Sequence, residues 1–158
     1  MKRIRTYLVM LSVSGAAVIL DQWTKYLSER SDESPRILWY GWNVFDLAAV
    51  HNSGMALGID LWDGFPFVAI GIAVITGILL LTYSYRSLFL QRWYLPWAAG
   101  MVIGGITGNL IDRVTRGGEV LDFIAIGYFP VFNLADLFLC LGCLVLVRDM
   151  YRSSNSTK

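Results

Sequence analysis

Hydrophobic positions along the chain gather into four long apolar runs, approximately 7–27, 65–83, 94–111 and 129–147. A helix needs ~20 mainly apolar residues to cross a hydrocarbon core ~30 Å thick, so each run predicts one membrane-spanning helix. Between them lie two longer segments, 28–64 and 112–128, and one tight turn is predicted at 84–93. Lys2, Arg3 and Arg5 ahead of the first run also fit the basic start of a signal peptide. No small-residue cleavage site follows, and Asp21, Gln22 and Lys25 stand where one would fall, so the run is expected as a retained helix. Residues 37–50 are dense in Trp39, Tyr40, Trp42 and Phe45 with β-branched neighbours, which predicts a small β element close to the membrane surface. The Gly-broken stretch 52–64 predicts a short interfacial helix, and the Ser-rich end 153–158 a frayed tail.

Composition strengthens the membrane reading. Of the 158 residues, 56% are hydrophobic and 16% charged, with a mean hydropathy of +0.54. A soluble domain carries ~25% charged residues and has no means of hiding so much apolar surface. The predicted fold class is therefore an all-α membrane protein of four transmembrane helices with a small outer β element, in a single domain over 1–158. The formal net charge of +1 gives no basic surface for a nucleic-acid partner. Four spans put both termini on one side, and that side with the 84–93 turn holds eight basic residues against one acid, Asp149. The opposite side holds five basic residues and the other eleven acids, so the positive-inside rule predicts cytoplasmic termini.

Ionisable groups at membrane helices are costly unless paired or solvated, which makes each one a candidate for function. Asp21 and Lys25 stand i, i+4 with the acid first, the favourable order for a structural ion pair near the outer end of the first helix. In the third helix Gly100, Gly104 and Gly108 form small-xxx-small steps that allow close helix approach. Asn109, Asp112 and Arg113 meet where that stripe reaches the outer surface. The fourth helix is expected to open at Phe132-Asn133-Leu134-Ala135-Asp136 and to point Asn133 and Asp136 into the bundle. Cys140 and Cys143 continue that stripe, lack further cysteines for zinc and are expected as small core residues. Asp122 lies between apolar neighbours in the outer loop, fourteen residues before Asp136. It is either an isolated solvated carboxylate or one of a pair with Asp136.

His51 is the only histidine, which excludes multi-histidine metal sites, and Ser53 is too close to it for a Ser-His-Asp triad. No phosphate loop, dinucleotide fingerprint or G-x-S-x-G elbow is present. Carboxylates flanked by asparagines remain. Two carboxylates close together share a proton and so provide one acid and one base, enough to hydrolyse a peptide without a covalent intermediate. The same groups could couple ions in a small transporter, or hold a hard cation such as Ca²⁺.

Five blocks occur in order: Asp21-x-x-x-Lys25, Asn52-x-Gly54, the G-G-x-x-G-N-x-x-D-R run from Gly104 to Arg113, Val120-x-Asp122-Phe123, and Phe132-Asn133-x-Ala135-Asp136. Together they resemble the lipoprotein signal peptidases (signal peptidase II), bacterial membrane proteases with four transmembrane helices. The resemblance implies catalytic roles for Asp122 and Asp136. It also implies that Asn52, Gly54, Asn109, Arg113 and Asn133 line the site and that Asp112 supports it. A four-helix bundle with an outer β-cradle and an interfacial helix is the implied fold, in the bacterial cytoplasmic (inner) membrane. The implied substrate is a prolipoprotein whose lipobox cysteine carries a diacylglyceryl group, cleaved N-terminal to that cysteine, with no metal or organic cofactor. Beyond substrate and membrane lipid no partner is expected, and the chain is expected to act as a monomer. One departure is visible: Met55 and Leu57 stand where the family's N-x-G-A-A-F pattern has a small and an aromatic residue.

Overall fold

A computed structural model describes residues 2–30, 36–37, 46–53, 65–126 and 129–155. The elements run α1 (Lys2–Arg30), β1 (Arg36–Ile37), β2 (Asp46–Asn52), α2 (Phe65–Ser84), α3 (Arg86–Gln91), α4 (Tyr94–Thr115), β3 (Val120–Ala125) and α5 (Leu134–Asn155). Among them one helix, from Arg3 to Arg30, is long and apolar enough to cross a membrane by length and composition, and Val68–Ser84 is a shorter apolar helix.

Helix α4 is the centre of the bundle and packs against both α1 and α5. Its glycines are the reason it can. A methyl group on Gly100 would fall 2.6 Å from the Met10 carbonyl oxygen, one on Gly104 2.7 Å from the Ala17 Cβ, and one on Gly108 2.6 Å from Asp21 Oδ2. The buried positions of α1, which include Met10, Ala17, Asp21 and Lys25, lie at spacings of seven, four and four, a single face turned to that stripe. On its other side α4 meets α5 through Gly105, which lies against Ala135 and Leu139, and Gly142 of α5 reciprocates against Ala98 and Val102.

The three strands form one antiparallel sheet in the order β1-β2-β3. Strand β2 pairs with β3 through Val50↔Asp122, His51↔Leu121 and Asn52↔Val120, with a register shift between Leu47 and Val50. Two glycines bring the chain from α4 into β3: Gly117 and Gly118 take positive φ of 64° and 97°, and the Gly118 N–H reaches back to the Arg113 carbonyl, closing α4 with a Schellman-type end. Leaving β3, the chain turns back on itself. Phe132 and Ile124 exchange backbone hydrogen bonds of 3.0 and 2.8 Å, and this bridge sets Asn133 beside the strand.

Several expectations change. The stretch expected as a tight turn at 84–93 contains the six-residue helix α3. The fourth helix begins at Leu134 rather than near 129, because Phe132 is held in the bridge to β3 and Asn133 caps the helix. It also runs through Asn155, and Ser153, expected in a frayed tail, donates to the Asp149 carbonyl and accepts from Arg92. The segment around Asp122, expected as a loop, is strand β3. Cys140 and Cys143 are exposed, not core. The packed face of α5 is carried by Ala135, Gly142 and Asp149, one position round from the Asn133, Asp136, Cys140, Cys143 stripe. The aromatic residues Trp39, Tyr40, Trp42 and Phe45, the proposed interfacial helix, and Gly54, Met55 and Leu57 lie outside the described residues.

Candidate active site

Asn133 stands at the junction of α5 and β3 and organises the polar cluster there. Its Oδ1 accepts the Asp136 backbone N–H at 2.9 Å, while Asp136 Oδ2 accepts the Asn133 N–H at 3.2 Å. This is a reciprocal helix cap, with Asp136 in the place where an acid also suits the positive end of the helix dipole. The next free donor of the first turn, the Ala135 N–H, is taken at 2.9 Å by Asp21 Oδ1 from α1. Asp21 thus caps α5 from another helix, a role its spacing to Lys25 does not reveal.

The Asn133 amide group then reaches across to the strand. It donates to Asp122 Oδ1 at 2.7 Å and to Asn109 Oδ1 at 3.0 Å. Asn109 in turn donates to Asp136 Oδ1 at 2.7 Å. Asn52, two residues along the same face of the neighbouring strand, donates to the other Asp122 oxygen at 2.9 Å. Asp122 and Asp136 therefore share Asn133 as a common partner: the side-chain amide binds one carboxylate and the backbone amide the other.

Their surroundings differ. Asp122 is buried, at 3% exposure, whereas Asp136 is half-buried. Burial pushes the Asp122 carboxyl above the usual carboxylate range, and the charge on Asp136 adds to the rise, against the lowering effect of the Asn52 and Asn133 amides. Arg113 lies within electrostatic reach of Asp136, Asp112 and Asp122, and its guanidinium is 3.4 Å from the Asn109 carbonyl oxygen.

Beneath this layer is a second one, built on the fully buried Asp21, Lys25 and Asp112. Lys25 Nζ sits 2.8 Å from Asp21 Oδ2, 2.8 Å from Asp112 Oδ2 and 3.1 Å from Asn109 Oδ1. Asp112 Oδ2 also accepts the Leu121 N–H at 3.1 Å, which pins β3 to the end of α4 one residue before Asp122. Gln22 joins the layer from the same helix, its amide nitrogen lying 3.0 Å from Asp112 Oδ1, 3.1 Å from Asp21 Oδ2 and 3.1 Å from the Gly108 carbonyl oxygen. Sequence reasoning does not single out Gln22. The one signal it gives is an uncharged polar residue next to a buried acid.

The family model described as Signal peptidase (SPase) II matches residues 13–152. The chain belongs to this family. Among its relatives, the lipoprotein signal peptidase of Halothermothrix orenii (strain H 168) is 34% identical, over 92% of this chain and 94% of the relative. That of Moorella thermoacetica (strain ATCC 39073) is 36% identical over 80% and 82%, and that of Rhodococcus jostii (strain RHA1) is 30% identical over 89% and 71%. The fold also matches a bacterial membrane enzyme solved by the in meso method at 2.3 Å resolution, with a TM-score of 0.78 and 24% identity, covering 94% of this chain and 91% of that one.

Of the residues singled out from sequence, the structure gathers Asp21, Lys25, Asn52, Asn109, Asp112, Arg113, Asp122, Asn133 and Asp136 into one connected network, and Gly54 lies outside the described residues. His51 is the exception among polar neighbours. Alternation along β2 turns it to the opposite face from Asn52, where its Nδ1 lies 3.1 Å from Glu119 Oε2. Among the described residues no cluster of His, Cys, Asp and Glu is arranged to hold a metal ion.

Proposed function

We propose that this chain is an aspartic endopeptidase of the membrane that removes the signal peptide from diacylglyceryl-modified prolipoproteins by cleaving N-terminal to the lipidated cysteine. The observation that carries the reading is the pair of carboxylates, Asp122 and Asp136, held by one asparagine. The name shared by the relatives supports the substrate class. The family match leaves the transporter reading without support.

The chemistry follows from the unequal surroundings. Burial favours the neutral form of Asp122, so the proton of the pair resides there and can be donated in a hydrogen bond to the scissile carbonyl. Asp136, half-buried at the end of α5, is the general base of the pair. It takes a proton from water as the oxygen attacks the carbonyl carbon, while Asp122 transfers its proton to the carbonyl oxygen to give a tetrahedral gem-diol; collapse breaks the C–N bond as Asp136 passes its proton to the leaving amine and a gem-diol hydroxyl returns one to Asp122. Arg113 and the amides of Asn52 and Asn109 keep negative charge tolerable nearby. In this reading α1, α2, α4 and α5 span the membrane, the termini face the cytoplasm, and one copy suffices as a single domain. Acyl chains on the substrate would hold its bond at the outer end of the bundle, where the dyad lies.

A gel-shift assay on the purified chain tests this with a diacylglyceryl-modified precursor and its unmodified twin. Only the modified precursor is expected to be cut, and Asp122→Asn and Asp136→Asn each lower turnover by at least about a hundred-fold. Wild-type turnover in either variant would overturn the aspartic reading, and equal cleavage of both precursors would overturn the substrate class.

A further inference from the structure

Lys25 is fully buried under the dyad with Asp21 and Asp112, and all three of its N–H bonds are directed: to Asp21, to Asp112 and to Asn109 Oδ1. An ammonium group only donates, so the Asn109 atom facing it must be the carbonyl oxygen. Asn133 supplies a second donor to that same oxygen at 3.0 Å. With its oxygen occupied twice, the Asn109 side chain has a single orientation left, which sends its amide nitrogen to Asp136 Oδ1 at 2.7 Å.

We infer that Lys25 is a positioning residue for the peptidase reaction, acting through Asn109 to hold the Asp136 carboxylate as an oriented acceptor. This goes beyond the structural ion pair with Asp21, and it rests on the aspartic reading proposed above. The pair alone requires only that Lys25 neutralise an acid. The third bond also runs from α1 to α4, but unlike the two to Asp21 and Asp112 it ends on a side chain that itself binds Asp136. It places a full positive charge, itself fully buried, two hydrogen bonds from the carboxylate that accepts the water proton. The charged groups bearing on this arrangement are Asp21 on α1, Asp112, Arg113 and the Arg116 that follows α4, whose Nε lies 3.4 Å from Asp112 Oδ1 and which also pairs with Glu29, Asp122 on β3 and Asp136 on α5.

The test compares Lys25→Met with Asp21→Asn in the full-length protein, after folded material has been isolated by size exclusion. For Lys25→Met, kcat falls by at least about ten-fold with KM preserved, the size expected from loss of one oriented donor chain. The acid limb of its pH–rate profile moves to higher pH, because removing a cation disfavours the ionised dyad. Asp21→Asn removes an anion instead, and its acid limb moves down or stays. A folded Lys25→Met with the wild-type kcat, or with an unmoved acid limb, overturns the inference. Should Lys25→Met not accumulate in folded form, the double variant Lys25→Met with Asp21→Asn preserves the net charge of the layer. It is then expected to turn over at least about ten-fold more slowly than Asp21→Asn alone, and equality of the two overturns the inference. Asp122→Asn and Asp136→Asn in the same assay separate the two ideas: if they retain activity the aspartic reading fails, and if only the Lys25 arm fails the positioning role alone is lost.

Discussion

Asp122 is surrounded by little water and by two amide donors, and the competition between burial and hydrogen bonding has a consequence for stability. Its carboxyl lies above the unfolded value of about 4, so between the two the native chain holds a proton that the unfolded chain has released. Stability therefore falls as pH rises through that window, with the full penalty above the native value and none below the unfolded one. Asp122→Asn has no such penalty. Thermal unfolding in detergent over a pH series should show the Tm of Asp122→Asn gaining on wild type from below about pH 4 towards neutrality. A difference that stays flat across the series would contradict the assignment.

At the scale of elements, Asn133 has two separable tasks, and variants can divide them. Serine caps helices well but cannot span to Asp122 and Asn109, while alanine does neither. Asn133→Ala is expected to lose about 1–2 kcal/mol from the cap, with Asn133→Ser recovering part of that and none of the turnover. Chemical denaturation paired with the cleavage assay checks both; recovery of turnover in Asn133→Ser would mean the cap alone matters. The same junction marks the limit of what the sequence makes legible. The long helices are readable because each falls on a long apolar run, and the residues of the polar network because polar groups stand out at the ends of such runs. Strand β3 is not readable, since all of Val120–Phe123 is buried and the run carries no alternation. The start of α5 and the face of Cys140 depend on where Asn133 caps. The Asp21 bond to Ala135 joins residues 114 positions apart and has no sequence signature at all.

For the whole molecule, two opposite ends carry different chemistry. The proposed dyad and Lys25 occupy one end of the bundle; at the other, Asp149 on α5 binds Arg92 and accepts from Tyr94 Oη at 2.6 Å, tying the start of α4 to the last helix. The proposed topology makes this second end cytoplasmic. With Cys140 and Cys143 replaced by serine, a membrane-impermeant maleimide applied to intact spheroplasts should label His51→Cys, and Ser154→Cys only after lysis. In the otherwise native chain Cys140 and Cys143, exposed on α5 but facing lipid in this arrangement, should resist the reagent until detergent is added. Labelling of Ser154→Cys from outside would reverse the orientation.

The capping of α5 by Asp21 and its linking to β3 through Asn133 also bear on biosynthesis. Asp122 leaves the ribosome well before Asp136, and the asparagine that joins them belongs to the first turn of the final helix. If the two acids act as proposed, a chain still being made has no working pair, hydrolytic power arises only when the last helix docks, and a truncated or half-inserted copy would be inert towards its neighbours in the membrane.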